Sequence, residues 1–274
     1  MADQTFDPAA VRAFEYARWQ CAAPVYGETF ASATWPFIEP LLDAGQVSRD
    51  DRVLDLCCGP GFVASAARER GAVAHGLDFS PAMLATARSR DATVRFEQAD
   101  AEALSYADAS FDAVVSNFGL HHIPRPAVAL REVLRVLRPR GRVAFSFWAE
   151  PSDNIAWKLV FDAVTRHGDR SAAQAPTPGG GFGTEAQCVG ALNEAGFEDC
   201  ATRLVRAEWR HRDAQTLVMA LQAGTARMAA MLDAQQPAAM TAIVADIDAN
   251  TARYRIAEGI AVPIAAIIAS GHKP

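Results

Sequence analysis

The chain has 274 residues, a net charge of −6, 50% apolar and 21% charged side chains. That is the balance of a globular protein able to bury about three quarters of its unfolded surface without staples. The mild acidity argues against a nucleic-acid-binding surface, and the most apolar stretch, 259–270, holds a proline and falls short of the ~20 residues that span a bilayer.

The N-terminal stretch is mixed in charge with no apolar signal core, and its first forty-odd residues read as helices. Five cysteines, Cys21, Cys57, Cys58, Cys188 and Cys200, make no CxxC spacing. Both features point to a reduced, cytoplasmic setting. Between 50 and 150, apolar runs alternate with helical periods. DRVLDLCC is a first strand, followed by a Gly-rich turn and a helix through FVASAARERG. AVAHGLDFS is a second strand, and PAMLATARSR starts a helix with Pro81 at its first position behind a Ser80 cap. TVRFEQAD and FDAVVSNFG are the third and fourth strands. PRPAVALREVLRVLRP has a helical period ending at Pro139, and GRVAFSFW is the fifth strand.

Beyond 150, NIAWKLVFDAVTRHG reads as a helix and 175–185 as a Pro/Gly loop long enough for a hinge or lid. EAQCVGALNEAGF is a helix stopped by Gly196, and CATRLVRAEW alternates like a strand. Residues 213–257 read as helices broken at Pro237, before a last buried strand in VPIAAIIASG. Strands alternating with helices imply a doubly wound, Rossmann-like, mostly parallel α/β sheet with its ligand beyond the carboxyl ends of the strands. The expected organisation is a helical cap at 1–48, a Rossmann-like core at 49–150, and completion of the sheet at 151–274 around a helical insertion.

The turn after the first strand carries Gly59-x-Gly61-x-x-Ala64, which fits a dinucleotide fingerprint. The charges around it do not. Asp55, Asp78 and Asp100 stand at the carboxyl ends of the first three strands, where they would repel a pyrophosphate but suit an ammonium, a ribose diol and a positive sulfur. Asp78 lies where an acid accepts ribose hydroxyls, Asp100 where it meets an adenine amino group, and Asp55 where it binds an ammonium through water or stiffens the turn. Gly59 and Gly61 would let the backbone approach a ligand that a Cβ excludes. Each acid also has a plainer reading as a cap for the turn that follows it.

The segments VLDLCCGPGF, GLDFSPAML, FEQADAEAL, FDAVVSNFGLHHI and LRVLRPRGRVAFSFW resemble, in order and over 53–148, the class I S-adenosylmethionine-dependent methyltransferases. They are most similar to the small-molecule branch that includes the ubiquinone and menaquinone C-methyltransferases. The resemblance implies a seven-stranded sheet with S-adenosyl-L-methionine as cofactor. It implies that the Asp55–Gly61 loop, with Cys57 and Pro60, touches the methionine moiety, and that Asp78 binds the ribose with Phe79 flanking the adenine. Met83 would pack near the adenine or ribose, Asp100 and Ala101 at the adenine edge, and Asn117 with Phe118 near the methionine end. An N-terminal aromatic closes the pocket in such enzymes; Tyr26 is the candidate, ahead of Trp19 or Tyr16. Cys57-Cys58 departs from the small residues of relatives but is itself small, and adjacent cysteines do not chelate a tetrahedral metal; no metal is expected.

His121 and His122 follow the fourth strand at the edge of this cleft, where one could act as a base or merely pack in a turn. Trp148 and Trp157 either line an acceptor pocket or close the core, and Met219, Met228, Met231 and Met240 either form an adaptable apolar wall or pack. The expected activity is methyl transfer to a small, apolar or aromatic acceptor through O, N or C. The expected partners are that acceptor, no nucleic acid, no membrane span, and a homodimer left open. Two rivals stand beside it: a cofactor-binding protein of the same fold with a non-methylating role, and a nucleotide-dependent oxidoreductase. The second would want an apolar residue at 55 and no acid at 100. The [DN]PP[YF] signature of amino-methylating nucleic-acid enzymes is absent; the fourth strand ends in SNFG.

Overall fold

The computed structural model describes residues 6–274 apart from 174, 177 and 179–181. Three helices come first, α1 (Pro8–Ala22), α2 (Ala31–Thr34) and α3 (Ile38–Ala44). Five strands and four helices follow, alternating except between β3 and β4: β1 (Arg52–Leu56), α4 (Phe62–Glu69), β2 (Val73–Asp78), α5 (Pro81–Arg90), β3 (Arg95–Gln98), β4 (Phe111–Asn117), α6 (Pro126–Val136), β5 (Leu137–Trp148) and α7 (Ile155–His167). After α8 (Glu185–Ala195) and β6 (Glu198–His211) come the inserted helices α9 (Ala214–Gly224), α10 (Arg227–Asp233) and α11 (Pro237–Thr251). The short β7 (Arg255–Ile256) and the long β8 (Gly259–His272) end the chain.

Local chemistry accounts for most of these boundaries. Ser80 Oγ accepts from Met83 N and Pro81 opens α5, as expected from the sequence. Thr184 and Gln187 make a reciprocal capping box on α8, and Gly196, at φ +98°, ends it. Pro237 starts α11 rather than interrupting a helix.

The main sheet runs β3-β2-β1-β4-β5-β8-β6, with β7 paired to β8. β1 to β5 are parallel, and β8 enters between β5 and β6 antiparallel to both. Pro263 lies inside β8, where it faces Glu208 of β6; β5 pairs with β8 only from Ala266 onward. The proline thus sits on a stretch with one strand partner, where its missing N–H breaks no ladder.

Helices α3, α4 and α5 cover one face of the sheet, and α6 and α8 cover the other. A third core gathers α2, α7 and the inserted helices around Trp209 and the start of β8. Strand order reverses between β1 and β4, so their carboxyl ends diverge into a crevice. The third core stands beside that crevice. Of the Pro/Gly loop expected as a hinge or lid at 175–185, residues 177 and 179–181 lie outside the described residues. No helix among the described residues is long and apolar enough to cross a membrane.

Candidate active site

A cavity of about 480 Å³ opens at the β1/β4 crevice. Its floor is the turn after β1. Cys57, Gly59 and Gly61 all have positive φ, at +58°, +52° and +79°, so the chain doubles back tightly, with Cys58 N donating to Leu77 O and Gly61 N to Cys58 O. Asp78, at the end of β2, fastens the turn: its Oδ2 accepts from Gly59 N at 2.8 Å and its Oδ1 from Ser80 N at 2.9 Å. Asp55, at the end of β1, caps α4 by accepting from Ala64 N at 3.0 Å. Its second oxygen is buried and has no partner among the described residues.

The two glycines do different work. A Cβ on Gly59 would meet nothing within 4 Å, so this position opens onto the cavity. A Cβ on Gly61 would lie 2.6 Å from Phe96 Cζ and 3.1 Å from Ala87 Cβ. Gly61 does not line the cavity, which corrects the expectation that it yields space to a ligand; it yields space to β3 and α5.

Both carboxylates are buried, at 1% and 5% exposure. Burial pushes the Asp55 carboxyl well above its usual range, against the hydrogen bond from Ala64, and the nearby Asp78 charge adds to the rise. Burial likewise raises Asp78 to about 6, against the backbone N–H groups of Ser80, Gly59 and Phe79. No guanidinium or ammonium is paired with either acid among the described residues. A ligand bringing positive charge and hydroxyl donors would relieve this cost, and an anionic one would add to it.

Asp100 differs. It stands at the rim, 39% exposed, and forms an ion pair with Arg12 of α1. Arg12 also reaches the buried Glu102 at 3.3 Å, which Arg125 holds at 2.6 Å. Arg12 therefore closes the N-terminal helix over the cavity mouth and leaves Asp100 less free to repel an anion than sequence spacing implies.

Pro60, Cys57, Phe79, Met83, Ala101, Asn117 and Phe118 all line the cavity. The Asn117 side chain is already engaged, accepting from Ser146 Oγ at 2.6 Å and donating to Thr34 O at 3.3 Å. It ties β4 to β5 and to α2. Of the three N-terminal aromatics, Tyr26 and Trp19 reach the cavity, while Tyr16 packs on the edge of Phe79 outside it. Burial pushes the Tyr26 phenol up to about 12.

The far half of the cavity is aromatic. Trp148 stacks on Phe118 at 3.9 Å between ring centroids and tilts against Trp157 at 4.4 Å, with Phe30 edge-on to both tryptophans. Trp148 and Trp157 thus line the cavity and close the core at once. Met228 and Met231 join the wall, Met240 packs in the core behind it, and Met219 is exposed. This chamber gives flat, apolar contact with few polar anchors.

Where the two halves meet, sequence reading missed a buried ion cluster. Glu15 of α1 is fully buried. Its Oε2 lies 2.9 Å from His122 Nδ1 and accepts from Trp19 Nε1, also at 2.9 Å; its Oε1 lies 2.5 Å from the Arg227 guanidinium. Burial works to raise the Glu15 carboxyl, but His122, Arg227 and Trp19 outweigh it and hold the group below its usual range. The His121 ring lies tilted against His122 with 4.0 Å between centroids, and burial, with the charges of His122 and Arg227, holds its imidazole well below the usual value. Among the described residues no group of three His, Cys, Asp or Glu side chains is arranged to hold a metal ion.

Residues 54–145 match a family described as Methyltransferase domain. The chain is 41% identical over 104 residues to the demethylmenaquinone methyltransferase of Clavibacter sepedonicus, covering 37% of this chain and 42% of the relative. It is 39% identical over 112 residues to the malonyl-[acyl-carrier protein] O-methyltransferase of Enterobacter lignolyticus, covering 40% and 45%. The matches span less than half the length of either relative. Among solved structures, a SAM-dependent methyltransferase of Thermotoga maritima superposes over 95% of this chain and 100% of its own with a TM-score of 0.58 at 14% identity, a likeness of fold. The matched residues hold the turn, the three acids and both histidines. Glu15, Tyr26 and Arg227 lie outside them.

Proposed function

We propose that this chain, which carries a methyltransferase-family domain at residues 54–145, binds S-adenosylmethionine on the β1/β4 turn and transfers its methyl group to a small apolar or aromatic molecule. One observation carries the reading: two buried carboxylates without a cation share a single cavity with an aromatic chamber. When bound, the cofactor supplies a methyl group already activated by a positively charged sulfur. The residues present fit it. Asp78 would take the ribose hydroxyls, the unpartnered Asp55 oxygen would take the ammonium through water, and the open face of Gly59 would admit the backbone-facing side of the ligand. Phe79, Met83 and Ala101 would enclose the adenine with Asp100 at its edge, and Cys57, Pro60, Asn117, Phe118 and Tyr26 would bound the methionine end.

The rest of the chemistry is alignment. In-line displacement needs acceptor, carbon and sulfur held in a row with water excluded. The wall of Phe118, Trp148 and Trp157 supplies a rigid apolar surface against which an acceptor ring is oriented. We read residues 1–48 and the 213–257 insertion as the parts that build this acceptor chamber around a core at 49–150, with 151–274 completing the sheet. The five unpaired cysteines suit a reduced, cytoplasmic setting.

Calorimetric titration with S-adenosylhomocysteine, with NADH as control, tests the cofactor half. Micromolar binding of the first and none of the second is expected. Binding of NADH alone would return the glycine turn to a dinucleotide role and make the three acids mere caps. Tight S-adenosylhomocysteine binding with no methyl transfer to any acceptor would favour a non-methylating role on the same fold.

A further inference from the structure

The ion cluster between the two halves of the cavity distinguishes two histidines that the sequence leaves equivalent. His122 faces a fully buried carboxylate at 2.9 Å through Nδ1. The approach is out of line for a hydrogen bond, so at this geometry the contact is Coulombic, and alignment of such pairs tightens when a ligand fills the site. A carboxylate at Nδ1 favours the tautomer with its proton there, leaving Nε2 as the acceptor. Among the described residues Nε2 makes no protein hydrogen bond and is not one of the enclosed atoms lacking a partner, and the ring lines the cavity at the junction of the two halves. His121 has none of this. Among the described residues its Nδ1 is buried without a partner and no carboxylate pairs with it, and its surroundings oppose a positive charge.

We propose that His122 is the general base of the reaction, that Glu15 is its positioning residue, and that the acceptor atom is the oxygen of an acidic hydroxyl, a phenol or enol. The inference rests on the methyltransferase reading above. The hydroxyl proton moves to His122 Nε2, an oxygen lone pair forms the new O–CH3 bond, and the C–S bond of S-adenosylmethionine breaks with its electron pair left on sulfur. The imidazolium then gives its proton to water, so the products are a methyl ether, S-adenosylhomocysteine and one proton. An amine or thiolate would need no such base, whereas a phenol in an apolar chamber cannot shed its proton to solvent while bound. Four groups face the imidazole: Glu15 from α1, Arg227 from α10, His121 from its own turn, and Asp78 across the cavity from β2. Arg227 keeps Glu15 ionised, so that the carboxylate remains a charge for the imidazolium to pair with rather than a competing proton acceptor. Glu15 and Arg227 come from helices outside the matched family residues, so the pairing belongs to this chain's own acceptor side.

The test uses the full chain with a panel of phenols, amines, thiols and carboxylic acids, reading release of S-adenosylhomocysteine. Turnover with phenols is expected. Turnover with only the other classes, or none with any phenol while S-adenosylhomocysteine binds, overturns the proposal; failure of S-adenosylhomocysteine to bind takes down the cofactor reading itself. His122→Gln should lower kcat for a simple phenol on the order of 100-fold. It should do so far less for a nitrophenol already ionised in mildly alkaline buffer, with S-adenosylhomocysteine affinity unchanged in calorimetry. Equal losses for both phenols would mean that the ring only packs. Glu15→Gln should move the acidic limb of the kcat profile to lower pH, with the smaller effect on KM. Without methyl transfer, an NMR titration of the six histidines should show one ring resonance, absent in His122→Gln, whose midpoint falls in Glu15→Gln. If Glu15→Gln does not fold, Glu15→Met, which also removes the charge at similar volume, gives the same readout, and a midpoint that does not move in the folded variant refutes the positioning role.

Discussion

Asp78→Asn separates the cost of the site from its use. In the ligand-free protein the Asp78 carboxylate accepts two backbone N–H groups, from Gly59 and Ser80, yet burial raises it from 3.8 to about 6. Keeping such a group ionised at neutral pH costs roughly 3 kcal/mol. Because the folded-state value is the raised one, the stability this group confers is full below the unfolded value of 3.8 and is lost as pH climbs through about 6. Asparagine removes that cost. Its NH2 must face one of the two N–H donors, a loss of about 1–3 kcal/mol, so the two effects nearly cancel. Thermal melting of the ligand-free variant at neutral pH should therefore fall within a few degrees of wild type. Across a pH series, wild type should lose about 3 kcal/mol relative to the variant between the two values. The affinity for S-adenosylhomocysteine should behave otherwise and fall by about 2–4 kcal/mol, or roughly 30- to 1000-fold, as charge-assisted bonds to the ribose are lost. A variant several kcal/mol less stable at neutral pH, with S-adenosylhomocysteine affinity unchanged, would mean that Asp78 is a structural cap and nothing more.

The two turn glycines should divide along the same line. Gly61→Ala places a Cβ against Phe96 at φ +79° and should lower the melting temperature markedly. Gly59→Ala has open space and only the left-handed backbone cost of about 1–2 kcal/mol, so it should fold and bind S-adenosylhomocysteine more weakly; the opposite pattern would reverse the two assignments. Burial, with the charges of the nearby aspartates, pushes the Cys57 and Cys58 thiols well above their usual range. At neutral pH iodoacetamide should therefore modify the exposed Cys21 first, as mass spectrometry of timed samples would show; early labelling of Cys57 would contradict the enclosed turn. Trp148→Ala removes the ring stacked on Phe118 and should raise KM for an aromatic acceptor with little change in S-adenosylhomocysteine affinity. A loss of S-adenosylhomocysteine affinity instead would place Trp148 on the cofactor side.

What the sequence made legible follows the distance over which each feature is encoded. Strand ends carry their own punctuation, so Asp55, Asp78 and the glycine turn could be placed at one crevice from local apolar runs and turn residues alone, and the structure brings them there. Ser80 with Pro81 and Gly196 were legible for the same reason, since a cap is satisfied within its own helix end. Gly61 was legible as a glycine but not in its reason: the atoms that forbid a Cβ belong to Phe96 and Ala87, on other elements. Arg12, Glu15 and Arg227 gave no signal. Each is a single charge in a helical period that reads as a solvated face, and only the docking of α1 and α10 over the crevice turns them inward. The half of the cavity built on the β1 turn is thus assembled mainly from strand ends and the turns that follow them, and its chemistry is written locally. The aromatic half is assembled by convergence of α1, α7, α10 and the ends of β4 and β5, so the proposed base depends on a carboxylate that the chain supplies from its far side. That asymmetry gives the base assignment its force. A histidine pair that merely closed a turn would have no need of a fully buried glutamate, whose desolvation must be offset by His122, Arg227 and Trp19 together.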